Sequence, residues 1–300
     1  MVWRSVMISH PAKLRREHYS LAIEQEETAF VPFEDIAIIV LNHREITLTH
    51  PVLSACAEYG IGLYATGNNH QPAGVFLPFL SHSRATRMMR RQLAIARPAA
   101  KQAWAAIVRR KIENQAACLR LSGKKGVDRL ESYACRVRSG DSENLEGQAA
   151  AFYFSQLFGQ EFHRAEECWA NAALDYGYAV LRGAIARGLV AHGLHPTVGL
   201  FHDSEQNAFN LADDLIEPFR PLVDLHVAKR PAATEGELIP TDKSVLVALL
   251  NVDVAMPQGR MSILSAIEYA VESLVRVYEE DANELDLPVL IGLQPHRLEC

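Results

Sequence analysis

The sequence lacks the patterns that mark several large classes of protein. None of its 300 residues falls in a run of eighteen apolar residues, so no membrane-spanning helix is predicted. The five cysteines are scattered, odd in number and form no C-x-x-C pair, which argues against a disulfide framework and a structural zinc site. The start of the chain has no secretory hydrophobic segment. No internal repeat or low-complexity segment is found, and we expect a globular protein of the cytoplasm.

Basic residues are scarce over most of the chain and concentrated in one segment. The net charge of −6 argues, taken alone, against a nucleic-acid partner. Residues 84–138, however, hold fifteen Lys or Arg and three acidic residues, a local charge of +12 against −18 elsewhere. This asymmetry is typical of a surface that binds a polyanion, although a solvated helical surface is the alternative. The candidate DNA-binding residues are Arg84, Arg87, Arg91, Lys124 and Lys125.

The first 77 residues have the short β-branched and aromatic runs that are typical of strands. The predicted strands are Val2–Ser9, Tyr19–Glu24, Phe30–Phe33, Ile36–Leu41, Ile46–Leu48, Ile61–Ala65 and Ala73–Leu77, the last two flanking a turn at Gly67–Asn69. One short helix is predicted after Thr49, with Pro51 in its first turn and Gly60 at its end. No acid and histidine cluster and no glycine-rich phosphate loop occurs here, so we predict a scaffold or dimerisation module.

Aromatic content supports the dimerisation hypothesis for residues 1–77. A module of this size is too small to bury its large side chains alone, and exposed apolar surface commonly marks an interface. The residues in question are Trp3, Phe30, Phe33, Tyr64 and Phe76.

Helical periodicity begins after a linker at residues 78–83 and continues to the end of the chain. The predicted helices are Arg84–Ala96, Pro98–Leu121, Val127–Val137, a helix capped near Asp141 that runs to Phe158, Cys168–His192, Ser244–Val254 and Ser262–Glu280, with a loop at Pro231–Pro240. The apolar run Leu287–Leu293 either pairs with a partner's edge strand or packs on its own chain. The predicted fold class is α+β, a small N-terminal β-rich domain (1–77) followed by a larger all-helical domain (84–300).

The segment 196–221 combines acidic and apolar residues in a way that predicts a metal site. Burying carboxylates among such neighbours costs several kcal/mol each, on the order of 2–7, unless a cation neutralises them. Asn210, Asp214 and Glu217 are spaced to share one face of a helix, and His202 precedes that helix in a loop. One imidazole with hard carboxylates favours Mg²⁺ or Mn²⁺ over structural zinc.

The order of these motifs resembles one known family. The loop from Gly199 to His202, the stretch N-L-A-D-D-L-I-E-P-F-R-P at 210–221 and a glutamate far upstream at Glu146 are similar to the active-site region of the Cas1 family of CRISPR adaptation integrases. The E-P-F-R-P sequence that starts at Glu217 is most similar to the type II branch. The resemblance covers nearly the whole chain.

The resemblance implies a site, a reaction and partners. Glu146, His202 and Glu217 would be the catalytic metal ligands, with Asp214 and Asn210 as supporting residues or, for Asp214, an alternative ligand. The 3′-hydroxyl of a short foreign DNA fragment would attack a phosphodiester of the CRISPR repeat, without a covalent protein intermediate. The implied partners are the double-stranded DNA fragment, repeat DNA, a second copy of this chain in a homodimer, and a dimer of Cas2 in a larger complex.

Three other functions stay open at this point. A carboxylate-bridged di-metal enzyme needs two E-x-x-H pairs, whereas His163 and Glu166 provide one pair in reverse order. A nucleic-acid-binding protein without catalysis would account for the basic segment but not for the acids at 213–217. Another metal-dependent nuclease would share the same ligands.

Overall fold

The computed structural model describes residues 3–67, 72–79, 82–230, 236–280 and 284–296. Its strands are β1 (Arg4–Ile8), β2 (Ala12–Glu17), β3 (Ser20–Glu24), β4 (Thr28–Pro32), β5 (Ile36–Leu41), β6 (Ile46–Leu48), β7 (Gly62–Thr66), β8 (Pro72–Phe76), β9 (Asp253–Met256) and β10 (Gly259–Ser262). Its helices are α1 (His50–Glu58), α2 (Ala85–Leu93), α3 (Arg97–Leu121), α4 (Val127–Arg136), α5 (Leu145–Phe158), α6 (Trp169–Ala191), α7 (Asn210–Leu215), α8 (Arg220–Val227), α9 (Pro240–Ala248) and α10 (Ile263–Tyr278).

The N-terminal strands form two sheets of four strands. One has the order β1-β5-β7-β8, in which β5 is parallel to both β1 and β7 and β8 is antiparallel to β7. The other has the order β4-β3-β2-β6. Strand β5 is buried along five of its six residues, because both faces of its sheet are covered and its unbroken apolar sequence suits that position.

The two faces of the first sheet belong to two different cores. Ile36 and Ile39 pack with the second sheet and helix α1, whereas Ile38, Val40 and Tyr64 join the core of the helical region. The Tyr64 hydroxyl donates to the carbonyl of Gly183 in α6. A side chain at Gly183 would collide with the Tyr64 ring, so the glycine permits this approach. The sheet is therefore fixed directly on α6.

The order of a β-rich part followed by a mainly helical part is confirmed, with corrections to single elements. Strand β2 was not predicted, because its sequence is mostly charged and alternates outward-facing Lys13 with inward-facing Leu14. The predicted turn at Gly67–Asn69 lies partly, and residues 231–235 of the predicted loop lie wholly, outside the described residues. The division into domains at 77 and 84 stays a prediction.

The helical part is not entirely helical. The helix predicted over Ser244–Val254 is wrong at its C-terminal end: α9 stops at Ala248, and residues 253–262 form the hairpin β9–β10. The C-terminal segment packs on its own chain against this hairpin, through bridges between Ala255 and Val289 and between Val252 and Pro295. In the described part of the chain no helix is both long and apolar enough to cross a membrane.

The aromatic residues of the N-terminal part are better covered than the sequence suggested. Phe33 and Tyr64 are buried, and Phe76 is partly buried in the N-terminal core. Trp3 is covered by the guanidinium of Arg187 from α6, 4.0 Å from the ring centroid. The expectation of a common exposed surface is therefore wrong for Phe33 and Tyr64, whereas Trp3 and Phe76 are partly covered. Phe30, on the edge strand β4, remains 54% exposed.

Candidate active site

Helix α3 is the platform on which the site is built. Trp104, Lys111 and Asn114 follow one another at helical spacing and are all buried, so they share the face that points to the interior. Trp104 stacks flat on Phe201 at 4.3 Å between ring centroids and meets the edge of His202. The amide of Asn114 donates to the carbonyls of Pro218, at 2.7 Å, and Pro288, at 2.9 Å.

The loop before α7 is held around the carboxylate of Asp214. This carboxylate is fully buried and accepts hydrogen bonds from the backbone N–H groups of Leu200 at 2.6 Å, Phe201 at 3.1 Å and His202 at 3.1 Å. It also contacts Nδ1 of His202 at 2.7 Å. With Nδ1 engaged in this way, Nε2 of His202 is the ring nitrogen that would bind a ligand.

Two amide side chains close the same loop. Asn210 donates to the carbonyls of Thr197 and Ser204, both at 3.0 Å. Gln92, from the basic helix α2, donates to the carbonyls of His195 and Val198 and accepts from the His195 N–H. The loop that carries His202 is thus tied to α2 at one end and to α7 at the other.

The two predicted glutamate ligands meet at the ammonium group of Lys111. Glu146 lies at the start of α5, whose first N–H groups are capped by the carboxylate of Asp141. Glu217 lies in the turn after α7. Nζ of Lys111 forms ion pairs with Oε1 of Glu146 and with Oε2 of Glu217. Two carboxylates that are remote in the sequence therefore share one buried cation.

Charge interactions outweigh burial in this cluster. Burial disfavours the ammonium form, but the charges of Glu217 and Glu146 raise the pKa of Lys111. Burial likewise acts against ionised Glu217, but Arg220 and Lys111 hold the pKa of this carboxyl below its usual range. The hydrogen bond to Asp214 is the main cause that raises the pKa of His202.

A second polar network lies behind the cluster. Arg220 donates through Nε to Glu217 Oε1 at 3.0 Å, and its guanidinium lies 4.6 Å from the ring centroid of Tyr178. The hydroxyls of Tyr178 and Tyr153 both donate to the buried carboxylate of Asp224. Burial raises the pKa of Asp224 to about 6. Sequence analysis missed this network, because none of its members stands out by spacing.

The structure changes the expected geometry of the acidic segment. Asn210 and Asp214 lie on α7, but that helix ends at Leu215, so Glu217 does not share a helical face with them. Asp214 holds the loop, which fits the supporting position expected for it. Asp213 points elsewhere, accepting from Asn207 at 2.7 Å. The ligand assignment of Glu146, His202 and Glu217 stays a prediction, with all three brought to one region by the fold.

A divalent cation needs several oxygen or nitrogen ligands at one point, and Glu146, Glu217 and His202 are the candidates. Among the described residues no group of three or more His, Cys, Asp or Glu side chains lies close enough to hold a metal ion. The space between the two glutamates is taken by the Lys111 ammonium. Oε2 of Glu217 is buried and faces this ammonium. Carboxylate oxygens and an imidazole nitrogen are donor types that Mg²⁺ and Mn²⁺ accept, and the binding of either ion stays a prediction.

The predicted DNA-binding residues lie on the surface. Arg84, Arg87 and Arg91 are exposed on or beside α2, and Lys124 and Lys125 are exposed in the loop between α3 and α4. Arg87 forms an ion pair with Glu279 at 2.9 Å. Other basic residues of the segment are used within the protein, as in the ion pairs of Arg110 with Glu113, Arg120 with Glu131 and Arg136 with Glu143.

A family model and a sequence relative indicate one family, and solved structures share the fold. The family model described as CRISPR associated protein Cas1 matches residues 6–237. The CRISPR-associated endonuclease Cas1 of Neisseria meningitidis is 42% identical over the full length of both chains. A solved casposase bound to an integration product has a TM-score of 0.77 at 18% identity, covering 95% of this chain and 93% of its own. A partial Cas6-RT-Cas1–Cas2 complex has a TM-score of 0.61 at 15% identity, covering 97% of this chain and all of the solved one.

Proposed function

Because the chain belongs to the Cas1 family of CRISPR-associated proteins, we propose that it is a divalent-metal-dependent DNA endonuclease and integrase. Its reaction inserts short foreign DNA fragments into a CRISPR array, by attack of a fragment 3′-hydroxyl on a phosphodiester of the repeat. The relative from Neisseria meningitidis, which matches over its whole length, is named an endonuclease.

The observation that carries this proposal is the convergence of Glu146 and Glu217 on one buried cation beside His202. These residues come from α5, the turn after α7 and the loop before α7. An ionised carboxylate such as that of Glu217 is costly to bury, and a second carboxylate beside it adds repulsion, so this arrangement provides a cation site. The casposase with the same fold is bound to an integration product, so in that protein this fold serves DNA integration.

The residues divide the chemistry among them. Glu146, Glu217 and Nε2 of His202 would hold Mg²⁺ or Mn²⁺, and Asp214 fixes the orientation of the imidazole through Nδ1. A bound divalent ion supplies positive charge that polarises a phosphate and lowers the pKa of an attacking hydroxyl. Arg220 neutralises the remaining oxygen of Glu217 and keeps that carboxylate ionised in its buried position.

The surface that approaches DNA would begin at α2 and the Lys124–Lys125 loop. Exposed Lys and Arg contact phosphates without regard to sequence. Gln92 bonds the inner face of α2 to the loop of His202, so DNA held on α2 lies on an element that is directly joined to the site. The protein would act in the cytoplasm, where the DNA of the cell is located.

Assembly is part of the proposal. We infer a homodimer with one site per subunit, joined through the N-terminal part, where edge strand β4 exposes Phe30. A Cas2 dimer would bridge two such dimers, and the solved Cas6-RT-Cas1–Cas2 complex is a neighbour in which Cas1 is assembled with Cas2. Two separated sites could then act at the two ends of a repeat.

The test is a strand-joining assay with a fragment and a repeat-containing plasmid, with and without Cas2. His202→Ala and Glu217→Gln should abolish joining, and EDTA should do the same to the wild type. Glu205→Gln, an exposed acid of the same loop, is the matched control and should keep full activity. Full activity of either site variant would remove that residue from the site. DNA binding in EDTA, with no joining in any divalent metal, would show a binding protein without catalysis.

A further inference from the structure

Lys111 occupies an unusual position for a lysine. Its side chain is 8% exposed, on the inner face of α3 between turns that carry Ile107, Val108 and Gln115. A lysine is almost never fully buried unless it is paired. In this case the pairing is double, to Glu146 and Glu217, and these are two of the three residues proposed to hold the metal.

The ammonium and a divalent ion would use the same oxygen atoms. Lys111 contacts Oε1 of Glu146 and Oε2 of Glu217, while Arg220 engages the opposite oxygen of Glu217 at 3.0 Å. A divalent cation that binds the two glutamates must displace the ammonium, because two cations in one buried site repel each other strongly. The arrangement is therefore an exchange of one cation for another, rather than the filling of an empty site.

In the metal-free protein the two glutamates need another positive charge. Without a cation between them, Glu146 and Glu217 would be two negative charges close together, one of them buried, and would repel each other. With the ammonium in place the charges are balanced before any metal arrives. Removing one partner of a buried ion pair is costly because the other charge is left uncompensated.

We propose that Lys111 is a positioning residue that serves as an internal counter-cation of the metal site. It holds Glu146 and Glu217 together in the metal-free protein and leaves these carboxylates when a divalent ion binds. Lys111 thereby lowers the affinity for the metal while it stabilises the metal-free fold. This inference rests on the proposed function, since it takes the two glutamates as metal ligands.

The test compares Mn²⁺ binding and thermal stability in full-length variants at pH 8. Lys111→Met keeps the length of the side chain and removes its charge. Lys101→Met is the matched control, since it makes the same change at an exposed position of the same helix. Lys111→Arg retains a cation that can pair with both glutamates. Mn²⁺ affinity is measured by isothermal titration calorimetry, and Tm with and without Mn²⁺ by calorimetric scans.

The proposal predicts opposite changes in the two measurements. Lys111→Met should lower the Tm of the metal-free protein and tighten Mn²⁺ binding by about tenfold or more, a change of about 1.4 kcal/mol. Mn²⁺ should raise its Tm more than that of the wild type, because ligand binding stabilises the folded state by mass action. Lys111→Arg and Lys101→Met should stay near the wild type in affinity.

A purely structural lysine would give a different result. Loss of packing around α3 would weaken Mn²⁺ binding, so an affinity that is unchanged or weaker in Lys111→Met overturns the proposal. If Lys111→Met is unfolded without metal, folding upon addition of Mn²⁺ supports the exchange, and failure to fold in Mn²⁺ overturns it. Absence of Mn²⁺ binding in the wild type, or binding unaffected by Glu217→Gln, would instead refute the proposed metal site itself.

Discussion

Asp224 offers a prediction whose size follows from the structure. Its carboxylate is 2% exposed and accepts from the hydroxyls of Tyr153 and Tyr178, with its pKa raised to about 6 by burial. In the unfolded chain the same carboxyl has an ordinary pKa near 3.8. Between these values the folded protein keeps a proton that the unfolded chain has lost. Stability is therefore lost as the pH rises through this window, and the variant Asp224→Asn should not share that loss.

The magnitude follows from linkage between proton binding and folding. One pKa unit corresponds to about 1.36 kcal/mol. Integrating proton release from pH 5 to pH 8 for a folded pKa of about 6 gives a loss of about 1.4 kcal/mol from this one group. All other titrating groups are common to both proteins. The free energy of unfolding of Asp224→Asn, relative to wild type, should therefore rise by about 1.4 kcal/mol between pH 5 and pH 8.

The assay is urea denaturation of both proteins at constant ionic strength and several pH values. Asp242→Asn is the control: this buried carboxylate accepts from Trp169 Nε1 at 3.0 Å and from Arg230 at 2.8 Å. Its pKa is lowered, with burial outweighed by these hydrogen bonds, so it is ionised in both states over this range. Its variant should differ from wild type by a constant amount. A constant difference for Asp224→Asn as well, or one of opposite sign, would refute the reasoning.

Three further predictions concern the loop, the DNA surface and assembly. Gly199→Ala should abolish strand joining and lower Tm, because a Cβ there would collide with the carbonyl oxygen of His202; a fully active variant in the joining assay would contradict this. Lys124→Glu with Lys125→Glu should weaken binding to duplexes of any sequence and reduce the salt dependence, measured by fluorescence anisotropy; unchanged affinity would move the DNA path elsewhere. Light scattering should give about twice the 33.3 kDa of one chain and a shift towards monomer in Phe30→Asp; a monomeric wild type at micromolar concentration would exclude the dimer.

The sequence predicted the fold best where the hydrophobic pattern fitted only a helix or only a strand. The unbroken apolar run Ile36–Leu41 and the amphipathic stripe of Ser262–Glu280 correspond to β5 and α10 within a few residues. The run from Val245 to Val254, apolar except for Asn251 and Asp253, was ambiguous, since a short apolar run suits a buried helix and a buried strand equally. The turn at Pro257–Gln258 and the C-terminal segment that pairs with β9 resolve this ambiguity in the folded chain.

The site was predictable in its residue types but not in its geometry. His202 and the acids that follow could be identified from their clustering, whereas Glu146 was singled out by the family resemblance alone. Treating 210–217 as one helix placed Glu217 beside Asp214 on a shared face. In the structure the Asp214 carboxylate accepts hydrogen bonds from three backbone N–H groups and contacts Nδ1 of His202. This arrangement depends on the conformation of the loop and not on the spacing of residues in the sequence.

Lys111 shows what a count of charges leaves out. It contributed one of the fifteen positive charges of the basic segment, yet it does not belong to the surface that the count was meant to describe. Trp104, Val108 and Lys111 lie at i, i+4 and i+7 on the buried stripe of α3. A charge on such a stripe has to meet an opposite charge that the fold brings to it. In this chain, a lysine on an apolar helical stripe therefore predicts acidic residues packed against it, and the structure shows these to be Glu146 and Glu217.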